Sequence, residues 1–181
     1  MNRATLATIM VSKAFLVWVL LFVSTGGFCQ ERALEAWWLE AKFSADHTTY
    51  EGIDVSTIDP NWSRFTALSY ELLPAEAKDD LAWMRKGGFT FVKEGHLGSK
   101  RFVDRAVVGV FEDRSGKGGR FLLVLRKDTA GAWRKLFLHQ EAGDLGFSVL
   151  VTKGSKIYWG TCMQCDEFRK LVINAKGAYL F

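Results

Sequence analysis

Proline and cysteine are scarce in this 181-residue chain, which holds two prolines, Pro60 and Pro74, and three cysteines, Cys29, Cys162 and Cys165. So few prolines leave no polyproline segment, and so few cysteines supply neither a dense disulfide framework nor the four ligands of a structural zinc site. Histidine is limited to His47, His96 and His139, and no serine stands in a Gly-x-Ser-x-Gly nucleophile elbow. Low-complexity tracts, internal linkers and repeats of propeller length are missing as well. Charge of one sign is also in short supply. The chain carries 24 basic against 20 acidic residues, and two of the basic ones, Arg3 and Lys13, lie in the first 29 positions, so 22 against 20 remain beyond them. A net charge near +2 gives no basic surface of the kind nucleic acid requires, and no nucleic-acid partner is expected.

The amino terminus decides the expected compartment. Arg3 and Lys13 precede an apolar run from Ala14 to Val23, followed by Ser24, Thr25, Gly26 and Gly27. That run is shorter than the roughly 20 residues a bilayer span needs, and with its positive leader it has the form of a secretory signal peptide. Cleavage after Cys29 would place Gly27 and Cys29 at the two small-residue positions. Bulky Phe28 disfavours lipid attachment at Cys29. Residues 1–29 are thus read as a signal peptide, 30–181 as a single domain, and the destination as periplasmic or secreted. Retention of the leader as an anchor is the alternative, and it would be the protein's one membrane contact.

The sequence predicts an α+β fold, with N-terminal helices packed on an antiparallel β-meander of about six to eight strands. Residues 30–87 read as mainly helical. Leu34, Trp37, Trp38 and Ala41 recur at helical spacing between Gln30 and Phe43. Asp59 before Pro60, with Trp62, Phe65, Leu68 and Leu72 following, reads as a capped helix. From Pro74 to Gly87, early acidic and late basic residues match a helix dipole. Residues 88–181 then change period. Short runs such as "VDRAVVGVFED", "GRFLLVLRK" and "KIYWGT" alternate with turn formers at spacings too short for crossover helices, so the strands are expected to be antiparallel. "FLLVL" and "AVVGVF" are apolar on both faces and call for a covered sheet.

The stretch "EGHLGSKRFVDRAVV" lies between two such strands. With Phe89 and Phe91 before it and "RAVVGV" after it, the segment 89–110 resembles one FG-GAP hairpin, the integrin-type repeat whose acidic loop surrounds calcium. The resemblance implies a strand, a loop and a second strand. It also places Gly95, His96, Gly98 and Lys100 where the family has its glycine and oxygen ligands, leaving Asp104 as the remaining carboxylate. Calcium takes six to eight oxygens, so no metal is expected here, and Lys100 is a candidate to neutralise Asp104.

Beyond the leader the cysteines are Cys162 and Cys165, in "YWGTCMQCDEF", and an isolated pair in an oxidising compartment is expected to form a disulfide. A thioredoxin-like site would need a long following helix, for which the sixteen residues after Cys165 leave no room. Zinc would need His139 or His96 to meet Asp166. No catalytic residues and no cofactor are assigned. The candidate binding aromatics are Trp37, Trp38, Tyr158 and Trp159. The leading expectation is an exported, non-catalytic binding module for a protein or cell-envelope component, resembling an inhibitor or immunity protein in class. The alternatives are a hydrolase in which a histidine meets a distant carboxylate, and a structural module built on the degenerate loop.

Overall fold

A computed structural model describes residues 36–181, which form one compact unit. The leader and its cleavage site lie outside the described residues. The fold is mostly β, and the expectation of an N-terminal helical layer on a meander is corrected. Among the described residues the α-helices are α1 (Trp37–Glu40), α2 (Val55–Ile58) and α3 (Leu81–Lys86), each of one or two turns. No described helix is long and apolar enough to cross a membrane.

Two five-stranded antiparallel sheets carry the architecture. The first contains β3 (Trp62–Ala67), β6 (Asp104–Asp113), β7 (Gly118–Lys127) and β8 (Trp133–Ala142) in that order. Its fifth strand, β5 (Val92–Gly95), shares one edge of β6 with β3. Residues Val92–Gly95 pair with Asp104–Val107, whereas β3 pairs with Gly109–Asp113. The second sheet runs β12 (Ala178–Leu180), β11 (Arg169–Ile173), β10 (Lys156–Gly160), β9 (Val149–Lys153) and β4 (Phe89–Thr90). β4 and β5 are separated by Phe91 alone, so the chain crosses from one sheet to the other at that residue. A two-stranded hairpin, β1 (Thr49–Tyr50) with β2 (Ile53–Asp54), completes the set.

The strand runs read from the second half are all present as strands, in two packed sheets rather than one. Three of their hairpins turn where an Asx side chain closes the loop. Asp113 Oδ1 accepts from the amides of Ser115 and Lys117, Asp128 Oδ1 from those of Ala130 and Ala132, and Asn174 Oδ1 from those of Lys176 and Gly177.

The helix expected after Asp59-Pro60 is strand β3. Asp59 does not cap a helix; its Oδ1 accepts from the amide of Asn61 and so sets a turn. The register of β3 on β6 then shifts between Trp62 and Arg64, and the extra residue puts Trp62 and Phe65 on one face. A spacing of three that looks helical is therefore a bulged strand. Near Trp37 the helix lasts a single turn before Ala41 takes an extended conformation. From Pro74 to Gly87 the chain is helical as read, although its first half, Ala75–Asp80, is a 3-10 helix.

The first sheet is buried on both faces, as its double-sided apolar runs require. Val107, Phe111, Phe121, Leu123 and Leu125 point to a cluster with Trp62 and Phe65, covered by Ile53, Val55 and Ile58 of β2 and α2. Trp62 stacks on Phe111 at 4.7 Å and donates its indole N–H to Gln140. Ala106, Val108, Leu122 and Val124 face the opposite way, into a larger cluster with Leu150, Ile157, Trp159, Leu171 and Ile173 of the second sheet. Each fully buried side chain of this size contributes about 1.5–3 kcal/mol, so the cover on each face is energetically required.

Candidate binding site

Alternation along β10 separates two neighbouring aromatics. Trp159 is buried and meets His139 of β8 edge to face at 5.2 Å, so it faces the first sheet. Tyr158, half-buried, therefore faces outward, on the same side as its register partners Val151 and Lys170 and as Phe89 beyond Val151. On this outer face lies a groove of about 510 Å³, floored by Phe89, Val151, Tyr158 and Phe168 and walled by Met163 and Cys165. Trp83 of α3 stacks on Phe89 at 5.1 Å and remains 48% exposed.

The expected disulfide joins Cys162 to Cys165. It fixes the segment between β10 and β11 that forms one groove wall, and the crosslink is consistent with an oxidising compartment. Phe168, at the end of that segment, packs against Gly160 closely enough that a Cβ on Gly160 would lie 2.6 Å from the ring. Lys153 lines the groove, and two more exposed lysines stand near it on the same outer face. Lys153, Lys156 and Lys170 lie on the outer face around Tyr158, and none has an ion-pair partner among the described residues. The Lys153 ammonium lies 6.0 Å from the Tyr158 ring. Asp166 and Gln164 add polar groups at the rim.

A second concavity of about 320 Å³ opens at the end of the sandwich, where β8 meets β10 and β11. Glu141, Trp159, Thr161, Glu167 and Arg169 line it. The Arg169 guanidinium lies 4.4 Å from the Trp159 ring and is paired with Glu141. His139 Nε2 is 3.7 Å from Glu141 Oε1. Burial, and next the positive charge of Arg169, hold the His139 pKa below its ordinary value, so the ring is neutral near pH 7. The carboxylate beside it comes from the same strand, two residues on, and not from a distant part of the chain.

The remaining sequence candidates fall elsewhere. Trp37 and Trp38 are 6% and 4% exposed and belong to the core, where Trp37 donates to Asp80 and packs on Phe147. They offer no surface for a partner. Trp159 is equally buried and borders the end cavity, leaving Tyr158 as the one candidate aromatic in the groove. In the loop, β5 and β6 form the expected hairpin, closing at Gly95 opposite Asp104. Asp104 is fully buried and pairs with Arg126 at 2.7 Å, not with Lys100, which stays exposed. His96 Nδ1 hydrogen-bonds the Phe102 carbonyl oxygen at 2.8 Å, and Gly98 lies against the backbone of Ile173, where a Cβ would come within 2.5 Å. These residues close a loop and dock it on β11. No group of three or more His, Cys, Asp or Glu side chains among the described residues is arranged to hold a metal ion.

Sequence reading missed Trp83, Phe89, Phe168 and the lysines. The usable signal was the pair Tyr158-Trp159 within a strand, since alternation must send one ring outward. Comparison with protein-family models, curated proteins and solved structures finds no match to this chain.

Proposed function

We propose that the chain is an exported, non-catalytic binding module that holds a protein partner in the groove on the outer face of the second sheet, in the manner of a small inhibitor or immunity-type protein. The observation that carries this reading is an aromatic floor, Phe89, Tyr158 and Phe168, extended by half-exposed Trp83, with unpaired Lys153 in the lining and Lys156 and Lys170 on the same outer face. Large rigid rings supply interface energy at low entropic cost, and a lysine rim selects a partner surface with acidic side chains around an apolar centre. The disulfide-braced wall keeps the groove preformed, which lowers the ordering cost of association. Export is supported by the leader-like amino terminus and by the crosslink.

The test is capture from envelope extract on immobilised protein, wild type against a Trp83→Ser, Tyr158→Ser double variant, with a moderate salt wash. One partner retained by the wild type and lost by the variant is expected. No retained partner, or equal retention by the variant, overturns the proposal. Mass measurement of the exported protein checks the leader, because removal of residues 1–29 leaves a chain of 152 residues that begins at Gln30.

A further inference from the structure

The end cavity shares Phe168 with the groove, but its polar groups are its own. Trp159 is 1% exposed, and its indole N–H has no hydrogen-bond acceptor. A buried donor left unpaired in this way is uncommon, because desolvating it without a partner is costly, and it marks a place where an acceptor is missing. The same residue borders a concavity at the small end of the size range of ligand pockets, about 300–1,000 Å³. Around it stand groups of both hydrogen-bonding senses. Arg169 and Thr161 can donate, whereas Glu141 and exposed Glu167 accept. Phe168 adds an apolar ring.

We propose that this cavity is a second binding site and that it takes one neutral, hydroxyl-rich ring, such as a pyranose unit. Two carboxylates against one guanidinium leave the lining with excess negative charge, which disfavours an anionic ligand. A simple cation is disfavoured as well, since the face of Trp159 is already covered by Arg169. Hydroxyl groups both donate and accept, so they match Glu141 and Glu167 on one side and Arg169 and the Trp159 N–H on the other. The ring carbons find Phe168. The indole N–H is sealed from solvent in this structure, so its pairing with a ligand requires a shift in the lining, for which the Arg169 side chain, 38% exposed and lying over the ring, is placed. His139, behind Trp159, has its own Nε2 unpaired and keeps the rear of the indole in a neutral, polar setting.

The experiment is a titration of the full protein with N-acetylglucosamine and with glucose, followed by the indole N–H resonance of Trp159, with acetate as the anion control. A saturable shift with at least one sugar and none with acetate is expected. Trp159→Phe keeps an aromatic ring but deletes the donor and with it the reporting resonance, so its affinity is read by titration calorimetry beside the wild type, and it should fall on the order of fivefold, the value of one hydrogen bond. Glu167→Gln alters an exposed residue whose replacement leaves the fold intact, and should weaken it by a similar factor. Lys93→Ser, on exposed β5 of the first sheet, should leave the titration unchanged. Loss of sugar binding in Lys93→Ser, a response to acetate in place of sugar, no response to either sugar, or unaltered affinity in both Trp159→Phe and Glu167→Gln would each overturn the assignment.

Discussion

Arg126 Nε lies 2.7 Å from Asp104 Oδ1, and the same guanidinium donates to the carbonyl oxygens of Asn174 and Ala175. One ion pair thus ties β6 and β7 of the first sheet to the β11–β12 turn of the second. Arg126 also lies over the Phe102 ring at 4.3 Å, which fixes the loop before β6. Asp104→Asn should cost about 3 kcal/mol of stability, because it leaves a nearly buried guanidinium without its counter-charge. Replacing both partners, Asp104→Leu with Arg126→Met, should recover most of that loss. Urea unfolding of the single and double variants measures both. Chelator should leave the melting temperature unchanged, since the carboxylate that resembles a calcium ligand is engaged by Arg126.

Reduction of Cys162–Cys165 should weaken the fold modestly. The bond closes a loop of four residues, so by chain entropy its loss costs about 2 kcal/mol. Because the crosslinked segment walls the groove, Cys162→Ser with Cys165→Ser should lower affinity for the groove partner more than it lowers the melting temperature would suggest. Thermal melts and binding measured on the same preparation separate the two effects.

The histidine at the end cavity makes stability depend on pH. Burial and Arg169 lower the folded pKa of His139 from its ordinary value of 6.5. The unfolded chain therefore binds a proton at a higher pH than the folded chain does. The contribution is fully present above about pH 6.5 and is lost as pH falls through the folded pKa. The urea midpoint of the wild type should drop between pH 7.5 and pH 5, and His139→Gln should flatten that part of the profile.

Close approach of the loop to β11 sets a steric limit at Gly98. A Cβ there would meet the backbone carbon of Ile173 at 2.5 Å, and the backbone has little room to give. Gly98→Ala should destabilise by about 1–3 kcal/mol, the usual cost of overpacking. Gly154, which also lacks a Cβ but faces open space at φ +61°, should show only the smaller penalty of a left-handed backbone on mutation to Ala. Comparing the two variants by thermal melts distinguishes crowding from backbone strain.

Strands were easier to read from this chain than helices, for physical reasons visible at particular residues. "AVVGVF" and "FLLVL" are apolar on both faces because the first sheet is covered on both, and that environment leaves a continuous run in the sequence. Trp62 and Phe65 misled because a bulge breaks the twofold period, and no local feature of "NWSRF" announces it. Trp37 and Trp38 sit in one helical turn, too short for periodicity to measure. The disulfide could be read from an isolated cysteine pair following a leader that implies an oxidising compartment. The groove could not, since Trp83, Phe89, Tyr158 and Phe168 come from separate parts of the chain and meet through the pairing of β4 with β9 and the turn that follows β10. Asp104 illustrates the same limit: its partner Arg126 stands across a strand pair, while Lys100 was merely near in sequence.

The crossing at Phe91 bears on the timing of assembly. β4 is an early piece of chain, yet it completes a sheet whose other four members all arrive later, so Phe89 must wait for Val151 before its backbone is paired. β3, earlier still, waits for the far half of β6. In a chain made amino end first, β3 therefore stays unpaired until Asp113 has followed it and β4 until Val151 has, and the apolar side chains of both are open to unwanted contacts in the interval.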